Sequence, residues 1–563
     1  MRINYCFRYA HKCKRVLKLD SKNTERLPIK MIKKIENSIT IIYYDNDSYL
    51  HHLYIGHAIT ALKDCLLPIT VQHVDEENVC SIINNIKTKY VVIFFSFGWY
   101  PIFKKTCENI SSDSVVIVCH YVPTYLGKEI MTQFAMIDYA VVGEYDATLP
   151  NLIQMLIAGE DVSNCKGIML REKNKISYTG DCLQIENLDM IGMVNRDYLP
   201  SSSNVFHVFG SRGCEGNCTF CDRNALYNST KGEQRFRSID NIISEIDSLV
   251  ERFGCRFITF SDSTFCGSKT ILERLEKLYF ALKSKKYWVQ FFINLRVEQI
   301  NEEVLARLQQ LKQVGLSRVF IGIESFNEKD IRLYNKKTNV SVNKKAIDLI
   351  DTLRYSQEDY VLDFEYGFIL FNPYTTMKEL ENNIRELTNS SICVNPNIIS
   401  SRLVCNYIHP LTRKIYNDGL LTVALDECEL SDKCSFDIKY RFIDSHVERI
   451  YDIIVKCYHC LSIKIQSNII YIRNRYFHFY GLDTVLSNLD SAYYDWTIYL
   501  SDFCKKLIMT VFEMEQAGVD PEQYAIELCK KFLKEISPLD RNLRICKQRA
   551  LIQLQKKGEM IYD

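Results

Sequence analysis

From residue 38 onward, short continuous apolar runs alternate with segments whose apolar positions recur at helical spacing. Ile39-Thr40-Ile41-Ile42-Tyr43-Tyr44, residues 69–74, Tyr90-Val91-Val92-Ile93-Phe94-Phe95, Val115–Val118 and Tyr139–Val142 predict strands, and residues 49–66 and 77–87 predict helices between them. Strands with no polar alternation are buried on both faces. The series therefore predicts a parallel sheet covered by helices on both sides, a doubly wound, Rossmann-like α/β domain over residues 38–165. Such domains bind ligands beyond the carboxyl ends of their strands.

A second series starts at residue 205. Ile239, Ile242, Ile243, Ile246, Leu249 and Val250 form the stripe of a core-facing helix. The runs Phe257–Phe260, Trp288–Ile293, Arg318–Ile323 and Val361–Leu370 read as strands separated by further helical stripes. About six strand–helix units across residues 205–409 predict a partial (β/α)6 barrel, with its chemistry at the carboxyl ends of the strands. Residues 1–37 form an N-terminal extension, 166–204 a linker, and 410–563 a mainly helical C-terminal domain.

The most specific chemistry falls in Ser211-Arg212-Gly213-Cys214-Glu215-Gly216-Asn217-Cys218-Thr219-Phe220-Cys221. Three thiolates at C-x-x-x-C-x-x-C spacing cover three irons of a cubic iron–sulfur cluster and leave the fourth open. Gly213 and Gly216 let the loop close tightly around a bulky group, and Phe220 shields one face from water. On spacing alone, the loop also suits a structural zinc ion with His207 as fourth ligand. Strand ends elsewhere supply Asp262, Arg296 in Asn294-Leu295-Arg296, and Gly322-Ile323-Glu324-Ser325.

Composition narrows the class. The 563 residues carry 70 lysines and arginines against 69 acids, a net charge of +1, so no basic excess marks a nucleic-acid partner. The longest apolar run, Tyr90–Tyr100, is too short to span a bilayer. Twenty-two cysteines are too few for a disulfide scaffold and fit a reducing, cytoplasmic setting. An exposed cluster would suit an anaerobe.

The cysteine loop resembles that of the radical S-adenosylmethionine (SAM) superfamily. The resemblance implies a 4Fe-4S cluster on Cys214, Cys218 and Cys221, whose open iron chelates SAM, and reductive cleavage of SAM to a 5′-deoxyadenosyl radical. It further implies SAM-positioning roles for Phe220, Asp262, Arg296, Glu324 and Ser325. Arg235-Phe236-Arg237-Ser238 resembles the basic stretch after the family's loop, and Gly367–Pro373 its glycine–proline run near the adenine. The preceding domain, with Gly143-Glu144 after its last strand, resembles the cobalamin (B12)-binding domain of one large class. That class implies methylation of an unactivated carbon of a peptide or small natural product, and an electron donor such as flavodoxin or ferredoxin. Two features depart from it. The D-x-H-x-x-G motif is absent, with His51 and His52 nearby but differently flanked. Cys119-His120-Tyr121 replaces paired glycines that would let backbone approach the corrin or its nucleotide tail. Cyclisation, rearrangement or epimerisation without methyl transfer is the alternative chemistry, and a cobalamin or redox sensor or a zinc protein the non-enzymatic one. Cys457-Tyr458-His459-Cys460 looks like half a metal site, but no further cysteines stand at matching spacing. Buried free thiols are the reading for these residues, as for Cys255 and Cys266.

Overall fold

The computed structural model describes residues 36–44, 49–172, 175–182, 184–198, 205–222, 226, 234–355, 362–465 and 483–556. The basic N-terminal stretch and the side chains of His51 and His52 lie outside the described residues. The chain divides into two compact units, residues 1–183 and 184–563.

In the first unit, seven strands form one sheet: β1 (Glu36–Tyr43), β2 (Ile69–His73), β3 (Thr88–Phe94), β4 (Val115–Cys119), β5 (Tyr139–Val141), β6 (Ile168–Glu172) and β7 (Lys175–Tyr178), in the order β2-β1-β3-β4-β5-β6-β7. The first five pair in parallel, and β6 and β7 add an antiparallel ribbon. The ribbon takes up the first part of the segment read as a linker. Ile39, Ile41, Ile42, Val91, Val92, Ile93, Val116, Ile117 and Val118 are fully buried, as two-sided helix cover requires. The helices are α1 (Tyr49–Leu62), α2 (Val79–Ile83), α3 (Tyr100–Asn109), α4 (Tyr121–Gln133) and α5 (Tyr145–Ala158). Because β1 lies between β2 and β3, the chain reverses its direction of growth there. That reversal makes the switch point at which such sheets take ligands.

In the second unit, β8 (Val205–Val208) is followed by a two-residue ribbon, β9 (Ser211–Arg212) and β10 (Arg235–Phe236). Then come β11 (Phe257–Phe260), β12 (Gln290–Arg296), β13 (Leu316–Glu324) and β14 (Asp363–Phe368), all parallel with β8 in the order β14-β13-β12-β11-β8. The sixth position is marked by a parallel bridge between Phe371 and Arg402. Helices α6 (Ile239–Phe253), α7 (Ile271–Lys283), α8 (Glu302–Lys312), α9 (Glu328–Leu333), α10 (Val340–Tyr355) and α11 (Met377–Asn389) cover the strands. Ser238 caps α6 through its side chain, and Ile239, Ile242, Ile243, Ile246 and Leu249 face the core as the stripe predicts. The same core continues into the C-terminal helices 445–465, 483–516, 522–535 and 537–556. Cys255, Cys266, Cys405, Cys434, Cys457, Cys504 and Cys529 are buried and form no disulfide.

Gly315 leads into β13 with φ +121°, and a Cβ built there would lie 2.0 Å from the carbonyl oxygen of Val289. No side chain fits without moving backbone. Gly315→Ala is therefore expected to destabilise the second unit by at least about 2 kcal/mol. A denaturant midpoint unchanged from the parent would contradict that.

Candidate functional site

The cysteine loop leaves the carboxyl end of β8, where a parallel barrel gathers its chemistry. Three separate segments clamp it. The Thr219 N–H donates to the Tyr334 carbonyl at 3.0 Å and its hydroxyl to the Leu333 carbonyl at 2.8 Å. The Leu411 N–H donates to the Thr219 carbonyl at 3.0 Å. The Glu215 carboxylate accepts from the Ser268 hydroxyl at 2.6 Å. The Gly216 N–H points at Cys214 Sγ, 3.3 Å away, a donor suited to a sulfur that carries negative charge.

Cys214, Cys218 and Cys221 are all partly exposed, unlike the buried thiols elsewhere. Burial pushes the Cys218 thiol up to about 12. The nearby Lys336 charge opposes this, while Cys221, Glu324 and Cys214 add to it. The three sulfurs thus share one neighbourhood with Lys336 and Glu324. Among the described residues, no three histidine, cysteine or acidic side chains converge on a point that would hold one metal ion. His207 lies in β8, where its Nδ1 is 2.7 Å from the Ser261 hydroxyl. A backbone N–H aimed at one of three neighbouring cysteine sulfurs is the kind of donor that tunes an iron–sulfur cluster.

Glu324 ends β13 with φ +69°, a strained conformation for a non-glycine residue and of the kind found at ligand sites. Its Oε1 lies 3.2 Å from Lys336 Nζ, and its buried Oε2 has no hydrogen-bond partner among the described residues. Lys336 Nζ also donates to the Gly322 carbonyl at 2.6 Å. Gly322 is required here. A Cβ on it would sit 2.4 Å from Glu324 Oε1, so only glycine lets the carboxylate fold back over the strand. Arg296, at the end of β12, ion-pairs with Glu298, and its guanidinium carbon lies 3.4 Å from where a Cβ of Gly216 would be. The arginine and the cysteine loop are therefore in contact. Phe220 packs edge-on against Tyr334, with centroids 5.2 Å apart.

Two predicted residues turn inward. The buried Asp262 carboxylate accepts the Gly210 N–H at 3.0 Å on each oxygen and the Ser211 hydroxyl, so it holds the root of the cysteine loop and faces no open position. Burial raises its pKa to about 6, while those hydrogen bonds and the nearby Arg274 charge pull it down. The Ser325 hydroxyl, fully buried, donates to Asp330 at 2.7 Å and accepts from the Asn327 N–H at 3.0 Å. It orders the turn after β13 instead of reaching toward a ligand.

Lys336 carried no sequence signal, because it lies in a loop twelve residues beyond Glu324 and meets it only through the fold. Behind the loop, buried arginines hold its frame. Arg274 donates to the carbonyls of Gly210, Arg237 and Phe265 at 2.8, 2.8 and 3.1 Å. Glu245 accepts from Arg196 at 2.7 Å and from Arg237 at 2.6 Å.

In the first unit, Gly143 follows β5 with φ +84°, and its N–H donates to the Thr124 hydroxyl at 3.1 Å. Glu144 is buried at the head of α5. Gly98, beyond β3, has φ +92°. These glycine turns leave parts of the carboxyl rim without side chains, which suits the close approach of a flat macrocycle such as a corrin ring.

The sequence profile of the Radical SAM superfamily matches residues 208–387. An uncharacterised methyltransferase of Pyrococcus horikoshii is 25% identical over 287 residues, which is 50% of this chain and 59% of that protein. The chain thus spans about three-fifths of the length of this curated relative. Among solved structures, the cobalamin-dependent SAM radical enzyme OxsB with aqua-cobalamin bound aligns with a TM-score of 0.64 at 15% identity, over 94% of this chain and 82% of its own. The radical SAM methyltransferase TsrM from Kitasatospora setae, with tryptophan substrate and a SAM analogue bound, aligns with a TM-score of 0.54 at 12% identity, over 69% of this chain and 78% of its own. The likeness extends across both units' folds. No described helix is long and apolar enough to cross a membrane.

Proposed function

We propose that this chain, a member of the radical SAM superfamily, is a cobalamin-class enzyme that cleaves SAM and methylates an unactivated carbon of a peptide or small natural product. The observation that carries the reading is the neighbourhood of Cys214, Cys218 and Cys221 beside a Glu324 carboxylate oxygen that has no partner among the described residues. When bound, the cluster supplies the electron that splits SAM, and the corrinoid supplies the methyl group. Everything else is the chain's own work. Cys214, Cys218 and Cys221 would hold three irons, with the Gly216 N–H easing the charge on one sulfur.

Glu324 Oε2 is the acceptor left for a cationic or hydroxyl group of SAM, and Lys336 orients that carboxylate through its other oxygen. Arg296, lying against the loop at Gly216, presents positive charge to an anionic group of SAM. Asp262 and Ser325 act at one remove, by fixing the loop root and the turn after β13. Phe220, backed by Tyr334, keeps water from one side of the cluster. Gly143 and Glu144 would border the corrin in the first unit. The electron donor would be a flavodoxin or ferredoxin, and the setting an anaerobic cytoplasm.

The reading is tested by anaerobic reconstitution with iron and sulfide, followed by mass spectrometry of SAM products. Reductant-dependent 5′-deoxyadenosine is expected, joined by S-adenosylhomocysteine once substrate is present. Stoichiometric zinc with neither product would sink it. Deoxyadenosine without S-adenosylhomocysteine on a processed substrate would move the chemistry away from methyl transfer.

Glu324→Gln removes the charge and keeps the shape. It is expected to weaken SAM binding roughly ten- to a hundredfold, the usual worth of a hydrogen bond to a charged group, with iron content unchanged. Calorimetric titration of the reconstituted variant checks this, and parental affinity would remove Glu324 from the site.

A further inference from the structure

We infer that a corrinoid bound to the first unit is held by its ring and not by an inserted nucleotide tail. The inference rests on the cobalamin reading above and sharpens it. At the carboxyl ends of β1, β3 and β4, the layer beneath the rim is already filled by the chain's own rings. Tyr54 of α1, Phe94 closing β3, His120 following β4 and Tyr145 opening α5 are each more than nine-tenths buried.

These rings pack on one another. His120 stands edge-on to Tyr54 with centroids 4.6 Å apart, and Phe94 edge-on to Tyr145 at 5.1 Å. The Tyr145 hydroxyl donates to the Tyr54 carbonyl at 3.1 Å, closing α5 against α1. The Ser96 hydroxyl lies 2.7 Å from His120 Nδ1 and fixes the imidazole in place.

The backbone of His120 explains how the layer came to be filled. Its φ of +92° and ψ of −154° belong to a region that is almost exclusively glycine's. The turn after β4 thus keeps a glycine's path, while its side chain occupies the space a glycine would leave open. A flat ring can still rest on the Gly98 and Gly143 turns. A nucleotide passing down between α1 and α5 would have to displace the interlocked rings.

The full-length protein, purified free of corrinoid, is titrated with aquocobalamin and with cobinamide, which lacks the nucleotide, and binding is followed by absorbance and ultrafiltration. The two dissociation constants are expected to agree within about tenfold, which is about 1.4 kcal/mol. Cobalamin binding more than about tenfold tighter than cobinamide would overturn the inference and leave the cobalamin reading intact. If neither corrinoid binds, the cobalamin reading itself falls, and this inference with it. His120→Gly opens the layer and relieves the strained φ, so it is expected to shift the ratio toward cobalamin. An unshifted ratio counts against the ring layer as the cause.

Discussion

Cys218→Ala is expected to abolish reductive SAM cleavage while leaving the fold in place. Of the effects anticipated for this chain, the loss of activity is the largest. Two of three irons would keep protein ligands, and the third would gain solvent in a loop with no spare thiol at hand. The fall in 5′-deoxyadenosine formation should be at least roughly a thousandfold, equivalent to about 4 kcal/mol of barrier. The fold should survive because the loop is anchored by atoms the substitution leaves alone. Those are the backbone pairs of Thr219 with Tyr334 and Leu411, and the Glu215–Ser268 bond. Iron content, the broad visible absorbance of the reconstituted protein and its circular dichroism separate the two effects. A variant with parental iron and deoxyadenosine yield would remove Cys218 from the ligand set. Cys255→Ala, at a fully buried thiol beside β11, serves as a control that should leave iron content unaltered.

Much of the architecture is legible in the chain because parallel, doubly covered strands are written as continuous apolar runs. The runs at 39–44, 90–95 and 115–118 stand within three residues of the observed strands at every end. The cysteine loop is legible for another reason: its ligands are close in sequence, so spacing alone carries geometry. Glu324 and Arg296 are legible as strand-end residues, and both lie beside the loop. What periodicity cannot supply is the direction of a side chain at a strand end. Asp262 and Ser325 occupy the expected positions, yet Gly210, Ser211, Asp330 and Asn327 satisfy them internally. Arg237 is legible as part of the basic stretch but not as a partner of Glu245, and Lys336, Arg196 and Arg274 are invisible in the sequence because they meet their partners only through the fold. The same holds for Cys457 and Cys529, whose thiols come within hydrogen-bonding reach across two helices that no local motif links.

Glu245→Gln is expected to be among the most destabilising single-atom-scale changes in the second unit. Glu245 is 2% exposed and stands between Arg196 and Arg237, which are also 2% exposed. Arg196 further donates to the His207 carbonyl at 2.7 Å, and Arg237 to the Phe209 carbonyl at 2.9 Å. The triad therefore grips the end of β8, from which the cysteine loop departs. Glutamine keeps the volume and loses the charge, which leaves two buried guanidinium groups without a counter-ion. Breaking such a pair from one side typically costs about 3–5 kcal/mol, well above the price of losing an exposed bridge. Two of the three tryptophans, Trp288 and Trp496, lie in this unit, so tryptophan fluorescence during denaturant unfolding reports chiefly on it. The variant's midpoint should fall clearly below the parent's, and its iron incorporation should fall with it because the loop root loosens. Replacing all three partners by apolar residues of similar volume should restore much of the stability, since a buried ionic cluster is often no better than packed hydrocarbon. Iron incorporation should then recover only if β8 keeps its place. A midpoint for Glu245→Gln within experimental scatter of the parent would show that the triad is not what holds β8, and would shift that role to Arg274 and its three carbonyls.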